Sequence, residues 1–228
     1  LRKIIGKATA EINHSHAISH QFYMDDLKLY ADSKENLEKL LDIVIEISNA
    51  ISMKINAKKC AKAHFIPKNR SGDNSTSSLN SVEEIPILEG GKYYKYLGID
   101  QHYHAKDSVS WDRTAKSCLQ KSKAIWTSDL TFRQKVEVYN TTIIPALTYI
   151  SANLIRGSGK YESQLARGAE FDTEIRKLLV REKARYKANS THRLYLSHEK
   201  GGCNLKSVSN AVEESTIYTW AYLCTRVD

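Results

Sequence analysis

The hydrophobic period of the chain changes once, near residue 105, and that change limits the folds open to it. Before it lie short apolar and aromatic runs of strand length, with one helical stretch among them. After it, apolar residues recur every three or four positions almost to the end. Strand, helix, strands and then helices describe a small α+β unit followed by an all-α unit. The expected divisions are 1–105 (α+β), 106–188 (helical) and 189–228 (a helical extension).

Individual elements follow from local patterns. From Ile18 to Ala31, apolar and aromatic residues flank Asp25-Asp26, which predicts two short strands joined at a tight turn, with the acids at its tip. Ser33 reads as an N-cap. Leu37, Leu40, Leu41, Val44, Ile47 and Ile51 then make the buried stripe of one helix of about five turns. A strand is expected at Lys62–Ile66, ended by Pro67, and residues 68–82 have almost nothing to bury, so they read as a flexible loop. Ile85–Leu88, a Glu-Gly-Gly turn and Tyr93–Ile99 read as a hairpin. Helices are expected over Ser108–Thr127, over Thr131–Leu154 with a kink at Pro145, over Lys160–Ala188 with a break near Gly168, and from the cap Ser207 to about Val227.

Charge is distributed unevenly. Residues 1–91 hold 12 Lys/Arg and 12 Asp/Glu, so the entire net charge of +8 lies in 92–228. A basic half facing a polyanion, with nucleic acid the first candidate, accounts for that asymmetry better than general solubility does. Cys60, Cys118, Cys203 and Cys224 stand far apart, which argues against a disulfide framework or a zinc ribbon. Cys60/His64 and the pairs His14/His16 and His102/His104 each lack a second half at ligand spacing, so packing or surface roles are preferred to metal binding. No apolar run approaches the roughly 18 residues of a bilayer span, and no signal-peptide pattern opens the chain, so an intracellular protein of cytoplasm and nucleus is expected. The chain opens on Leu1 rather than Met, as a fragment or an incomplete gene model would.

Tyr23-Met24-Asp25-Asp26 is the informative element. Two carboxylates about 4 Å apart repel by roughly 4 kcal/mol at an effective dielectric of about 20, and a bound divalent cation relieves this. Hard oxygen ligands suit Mg²⁺. A bare Asp-Asp is more often a solvated turn; Tyr-Met before it and Leu-Lys-Leu-Tyr-Ala after it favour the metal-binding reading.

Tyr23–Ala31 resembles the Tyr-x-Asp-Asp hairpin of reverse transcriptases, specifically those of non-long-terminal-repeat retrotransposons. Further matches follow in the family's order. Met53–Cys60, reached through the helix, looks like the family's next palm motif, and Tyr94–Ile99 looks like its "YLG" hairpin at the palm–thumb junction. His192–Leu196 with Gly201–Leu205 resembles a stretch beyond the thumb. The resemblance implies a C-terminal palm portion, a helical thumb and a post-thumb extension, acting in RNA-directed DNA synthesis on an RNA template and a DNA primer with deoxynucleotides. It implies Asp25 as the firm Mg²⁺ ligand and Asp26 as the weaker or more structural one. Lys59 would stabilise or protonate the departing pyrophosphate, or be an ordinary solvated lysine. Tyr23, Met24, Tyr94, Tyr96, Leu97 and Gly98 would meet primer and nucleic acid, with a plain hairpin glycine the alternative for Gly98.

In the third C-terminal helix, six Lys/Arg face only Glu182 over residues 176–187, and at 100° per residue Arg176, Lys183 and Lys187 share a stripe. Phosphate tracking and a solvated face are equally good readings; Tyr186 and His192 could stack on bases. The family's site needs a third carboxylate from an upstream strand, yet the only acid before Asp25 is Glu11. The fingers and the other palm half are therefore expected to lie in the rest of the same polyprotein. Three readings remain: part of an active polymerase, a catalytically inactive RNA-binding remnant using the basic half, and an inert remnant.

Overall fold

The computed structural model describes residues 18–63, 85–88, 93–101, 108–154 and 161–225. Their class is α+β, with two small antiparallel sheets and a second half dominated by helices. They form two units. One holds the described residues up to Leu97 together with Gln101; the other holds Gly98–Asp100 and the described residues from 108 onward.

In the first unit, β1 (His20–Tyr23) and β2 (Asp26–Leu29) pair antiparallel, with His20 opposite Leu29 and Tyr23 opposite Asp26. Alternation along the strands places Gln21, Tyr23, Asp26 and Lys28 on one face and Phe22, Leu27 and Leu29 on the other. α1 (Lys34–Ala50) starts at the expected cap, the Ser33 hydroxyl accepting the Asn36 N–H at 3.2 Å. Its stripe is only partly covered: Leu40 is buried, Leu37, Leu41 and Val44 are half-buried, and Ile47 and Ile51 are exposed. The described residues cover the first half of this helix and leave its last two turns open, so the single buried stripe expected over Leu37–Ile51 is not realised along its full length.

The expected pairing of Ile85–Leu88 with Tyr93–Ile99 does not form. β3 (Tyr94–Tyr96) pairs with β4 (Ile99–Gln101), while Lys62 joins Ile87 in one parallel bridge, its N–H donating to Pro86 O at 3.0 Å. The reason lies at Leu97 and Gly98. With φ of +47° and +82°, both take the left-handed conformation that reverses a chain in two residues, so the tight turn sits inside the run read as one strand. The Glu-Gly-Gly turn, residues 64–66 of the expected strand and the loop 68–82 lie outside the described residues.

The second unit is built from α2 (Ser108–Thr127), α3 (Phe132–Asn153), α4 (Tyr161–Arg181), the short α5 (Thr191–Tyr195) and α6 (Val208–Thr225). α3 opens on a capping box in which Thr131 and Gln134 satisfy each other's backbone donors, and it runs through Pro145 as one helix. Its residues Val136, Tyr139, Ile143, Leu147 and Ile150 are buried at the expected spacing. They meet Trp111, Cys118 and Trp126 of α2 and Phe171, Ile175 and Leu179 of α4 in one core.

α4 is continuous through Gly168, contrary to the expected break. A Cβ there would lie 2.9 Å from Ser209 Cα, so this glycine lets the backbones of α4 and α6 touch. The same contact is locked by Asp172, 4% exposed, whose carboxylate accepts from the Ser207 hydroxyl at 2.7 Å, the Val208 N–H at 2.8 Å and the Ser209 N–H at 3.1 Å. A buried acid on one helix thus caps the positive end of another. Ser207 is the expected cap as well, accepting the Asn210 N–H at 3.3 Å.

α4 also ends seven residues before the expected Ala188. Lys183 adopts φ +57°, the Ala184 N–H bonds Leu179 O at 3.0 Å and the Lys183 N–H bonds Val180 O at 3.2 Å, which together form a Schellman termination. Glycine is the residue of choice at such a position, since a Cβ there costs about 1–2 kcal/mol. Lys183→Gly is therefore expected to raise the stability of the chain by up to about 1 kcal/mol, after allowing for glycine's greater unfolded-state entropy. A lower urea midpoint for the variant would contradict this assignment of the helix end.

Beyond α4, the segment after α5 folds back on it. The Cys203 N–H bonds Arg193 O at 2.9 Å, the Leu205 N–H bonds Leu194 O at 3.0 Å, and Asn140 of α3 holds this segment from both sides, donating to Asn204 O at 2.8 Å and accepting from the Lys206 N–H at 2.9 Å. The sequence motif at His192–Leu196 and Gly201–Leu205 is therefore a packing device in this unit. α5 had no signal in the hydrophobic period, being only five residues long.

Candidate active site

The β1–β2 turn is made by Met24 and Asp25, and Asp26 opens β2, so the two acids sit at the hairpin tip as expected. Met24 has φ +51° and is 84% exposed. A methionine held in the left-handed region without burial to repay it is strain kept at the tip, and such strain concentrates at functional positions. Leu97, at the β3–β4 turn, is a second non-glycine residue in the same conformation. Both carboxylates are exposed, and among the described residues no cationic side chain lies within ion-pair distance of either.

Within the first unit, the polar face of the hairpin meets β3. Lys28 lies 5.0 Å from the ring centroid of Tyr30 and 5.5 Å from that of Tyr96, and donates to Gln101 Oε1 at 2.6 Å. Tyr30 in turn donates to Gln21 Oε1 at 2.7 Å. Tyr94 donates its hydroxyl to Lys59 O at 3.0 Å, tying β3 to the single helical turn Ala57–Lys59. Burial raises the phenol pKa of Tyr94, and the nearby Cys60 and Asp26 raise it further; burial and Asp26 do the same to Tyr96. Both phenols stay protonated, and the Tyr94 proton is held by Lys59 O. Asp25, Asp26, Lys59, Tyr94 and Tyr96 thus belong to one unit, with Asp26 close enough to both tyrosines to act on them electrostatically.

Two adjacent carboxylates are the hard oxygen donors that a divalent cation prefers. No third His, Cys, Asp or Glu joins them among the described residues. The pair therefore fits one side of a metal site.

The basic stripe expected on the third C-terminal helix is not formed. Lys183 and Lys187 lie beyond the end of α4, and Arg176 is half-buried, donating to Tyr195 Oη at 3.0 Å and Thr173 Oγ1 at 2.6 Å. Its charge is spent inside the unit. The residues that sequence reasoning missed are Lys28 and Gln101, which link the hairpin face to β4; a lysine within an amphipathic strand carries no signal of its own. No helix among the described residues is long and apolar enough to cross a membrane.

Residues 2–101 match the family "Reverse transcriptase (RNA-dependent DNA polymerase)". The chain is 28% identical over 128 residues to the retrovirus-related Pol polyprotein from the type-2 retrotransposable element R2DM of Drosophila melanogaster. That match takes in 55% of this chain and 12% of that protein's length. No solved structure matches the chain significantly.

Proposed function

We propose that this chain, whose residues 2–101 match the reverse transcriptase family and which is similar to a retrotransposon Pol polyprotein, takes part in Mg²⁺-dependent, RNA-directed DNA synthesis as one portion of a longer polyprotein. The observation that carries this reading is the placement of Asp25 and Asp26 at a strained hairpin tip in the same unit as Tyr94 and Tyr96. Asp25 and Asp26 would hold the cation, whose chemistry is to lower the pKa of the attacking hydroxyl and to neutralise charge on the transferred phosphate. Tyr94 and Tyr96 would shape the surface against which a primer strand lies, with Tyr94 fixed by its bond to Lys59 O. The Leu97-Gly98 turn would lie along such a strand, and Lys59, whose carbonyl accepts from Tyr94, would supply a positive charge. A third carboxylate, with the fingers and the other half of the palm, would come from elsewhere in the polyprotein, and the helical unit would serve as thumb.

Metal binding at the tip is testable on the chain as it stands. Fe²⁺ with hydrogen peroxide, recycled by ascorbate, is expected to cleave the backbone around Tyr23–Leu27, to be displaced by Mg²⁺ on the order of millimolar, and to lose that site in Asp25→Asn. A cleavage pattern that ignores both Asp25→Asn and Asp26→Asn would remove the basis of the reading. A second reading, RNA binding without catalysis, is favoured by one observation: all of the net +8 lies in residues 92–228.

A further inference from the structure

We infer that the loop between α4 and α5 is a contact for single-stranded nucleic acid, in which Tyr186 stacks on a base and Lys183 and Lys187 hold the flanking phosphates. The inference rests on the reverse transcriptase reading only for the class of ligand; its geometry is that of the second unit alone.

Tyr186 is 79% exposed, more than any other aromatic side chain of the described residues. A tyrosine in a solvated loop usually lays its ring on a neighbour, because leaving so much apolar surface in water is unfavourable. The exposure is not the product of a loose segment. Arg185, half-buried, donates to Asn189 O and, at 3.0 Å, to Thr191 Oγ1, while its own N–H bonds Leu179 O at 3.2 Å. The Asn189 N–H closes a turn on Tyr186 O at 3.1 Å. One guanidinium thus ties the end of α4 to the start of α5 and holds Tyr186 outward from a fixed frame. Ring display on a preorganised loop costs little entropy on binding.

Positive residues flank Tyr186 along the chain. Lys183, Arg185 and Lys187 are the charged residues from 183 to 191, so the loop is uniformly positive, and Glu182 just before it is already bonded to Arg181 at 3.1 Å. Lys183 and Lys187 are both exposed. Lys183 also holds the left-handed position at the helix end that glycine would fill without strain. A flat π-face flanked by solvated ammonium groups matches an unpaired base with its two phosphates, and a duplex, whose bases are already stacked, offers the ring nothing.

The test uses the whole chain, a short labelled oligouridylate and a blunt RNA duplex, without divalent metal or nucleotide. Tyr186→Ala is expected to weaken oligouridylate binding roughly tenfold and leave duplex binding unchanged, and Tyr186→Trp to retain it. Replacing Lys183 and Lys187 by Gln should lower the salt slope by about 0.7 for each lysine removed. Melting temperatures of the Tyr186 variants should match the parent, since the ring makes no packing contact worth keeping. Oligouridylate affinity that survives Tyr186→Ala, or an equal loss on the duplex, overturns the proposal. Because neither metal nor catalysis is measured, failure here leaves Asp25 and Asp26 as proposed, and failure of metal binding at the hairpin leaves this loop untouched.

Discussion

Asp172→Ala is expected to destabilise the helical unit by about 3–5 kcal/mol. The carboxylate is buried and accepts three hydrogen bonds, two of them from backbone N–H groups in the first turn of α6. A hydrogen bond to a charged group contributes about 1.5–3 kcal/mol, and the alanine variant also leaves the Val208 and Ser209 donors without an acceptor at a buried helix end. Water cannot enter readily to replace it, because the α4 backbone at Gly168 touches Ser209. Asp172→Asn keeps one accepting oxygen but loses the charge that favours a helix N-terminus, so its cost should fall between alanine and the parent. Trp111, Trp126 and Trp220 all belong to this unit, so tryptophan fluorescence in urea follows its unfolding directly. At a slope of about 1–3 kcal/mol per molar urea, the alanine midpoint should drop by at least about 1 M. A drop of a few tenths would mean that the three donors find other acceptors.

Given primer, template, Mg²⁺ and deoxynucleotides, the 228-residue chain alone is expected not to extend the primer. In-line phosphoryl transfer of this kind uses two ions about 3.5–4 Å apart, one on the attacking oxygen and one on the leaving group. Asp25 and Asp26 are neighbours at one hairpin tip, no third ligand joins them among the described residues, and Glu11 is the only acid preceding them. Two carboxylates hold one hard cation and leave the second without a frame. Supplied in cis with a palm strand bearing a third carboxylate, the chain should extend the primer, and Asp25→Asn should then cost roughly a hundredfold or more, since even ligand-supporting residues contribute 10–100-fold. Template-dependent extension by the chain alone, abolished by Asp25→Asn, would show instead that the hairpin is sufficient.

Several features of the fold and the site are legible in the sequence. Ser33 and Ser207 mark two helix starts because a cap side chain bonds a backbone N–H only two or three residues on. Asp25 and Asp26 fell at a turn because apolar runs on both sides leave the acids nowhere else to go. The Tyr94–Ile99 segment reads as hairpin material, but its partner is not legible, since a two-residue turn through Leu97 depends on a conformation that leucine does not advertise.

The amino-acid sequence by itself determined the class of the chain, most of its helix spans and the position of the acidic tip, because period, caps and turn residues act over three or four neighbours. Tertiary structure decided the rest. Residues 183–188 are mostly good helix formers, yet α4 stops before them, where Arg185 draws the chain across to Asn189 and Thr191. Arg176 carries the same charge as Lys187, but Tyr195 and Thr173 take up its guanidinium while Lys187 stays in water. Ile47 and Ile51 continue the apolar stripe of α1 but remain exposed. A charge or an apolar residue is a local property; which partner accepts it is set by segments far away in the chain, and only packing brings those together.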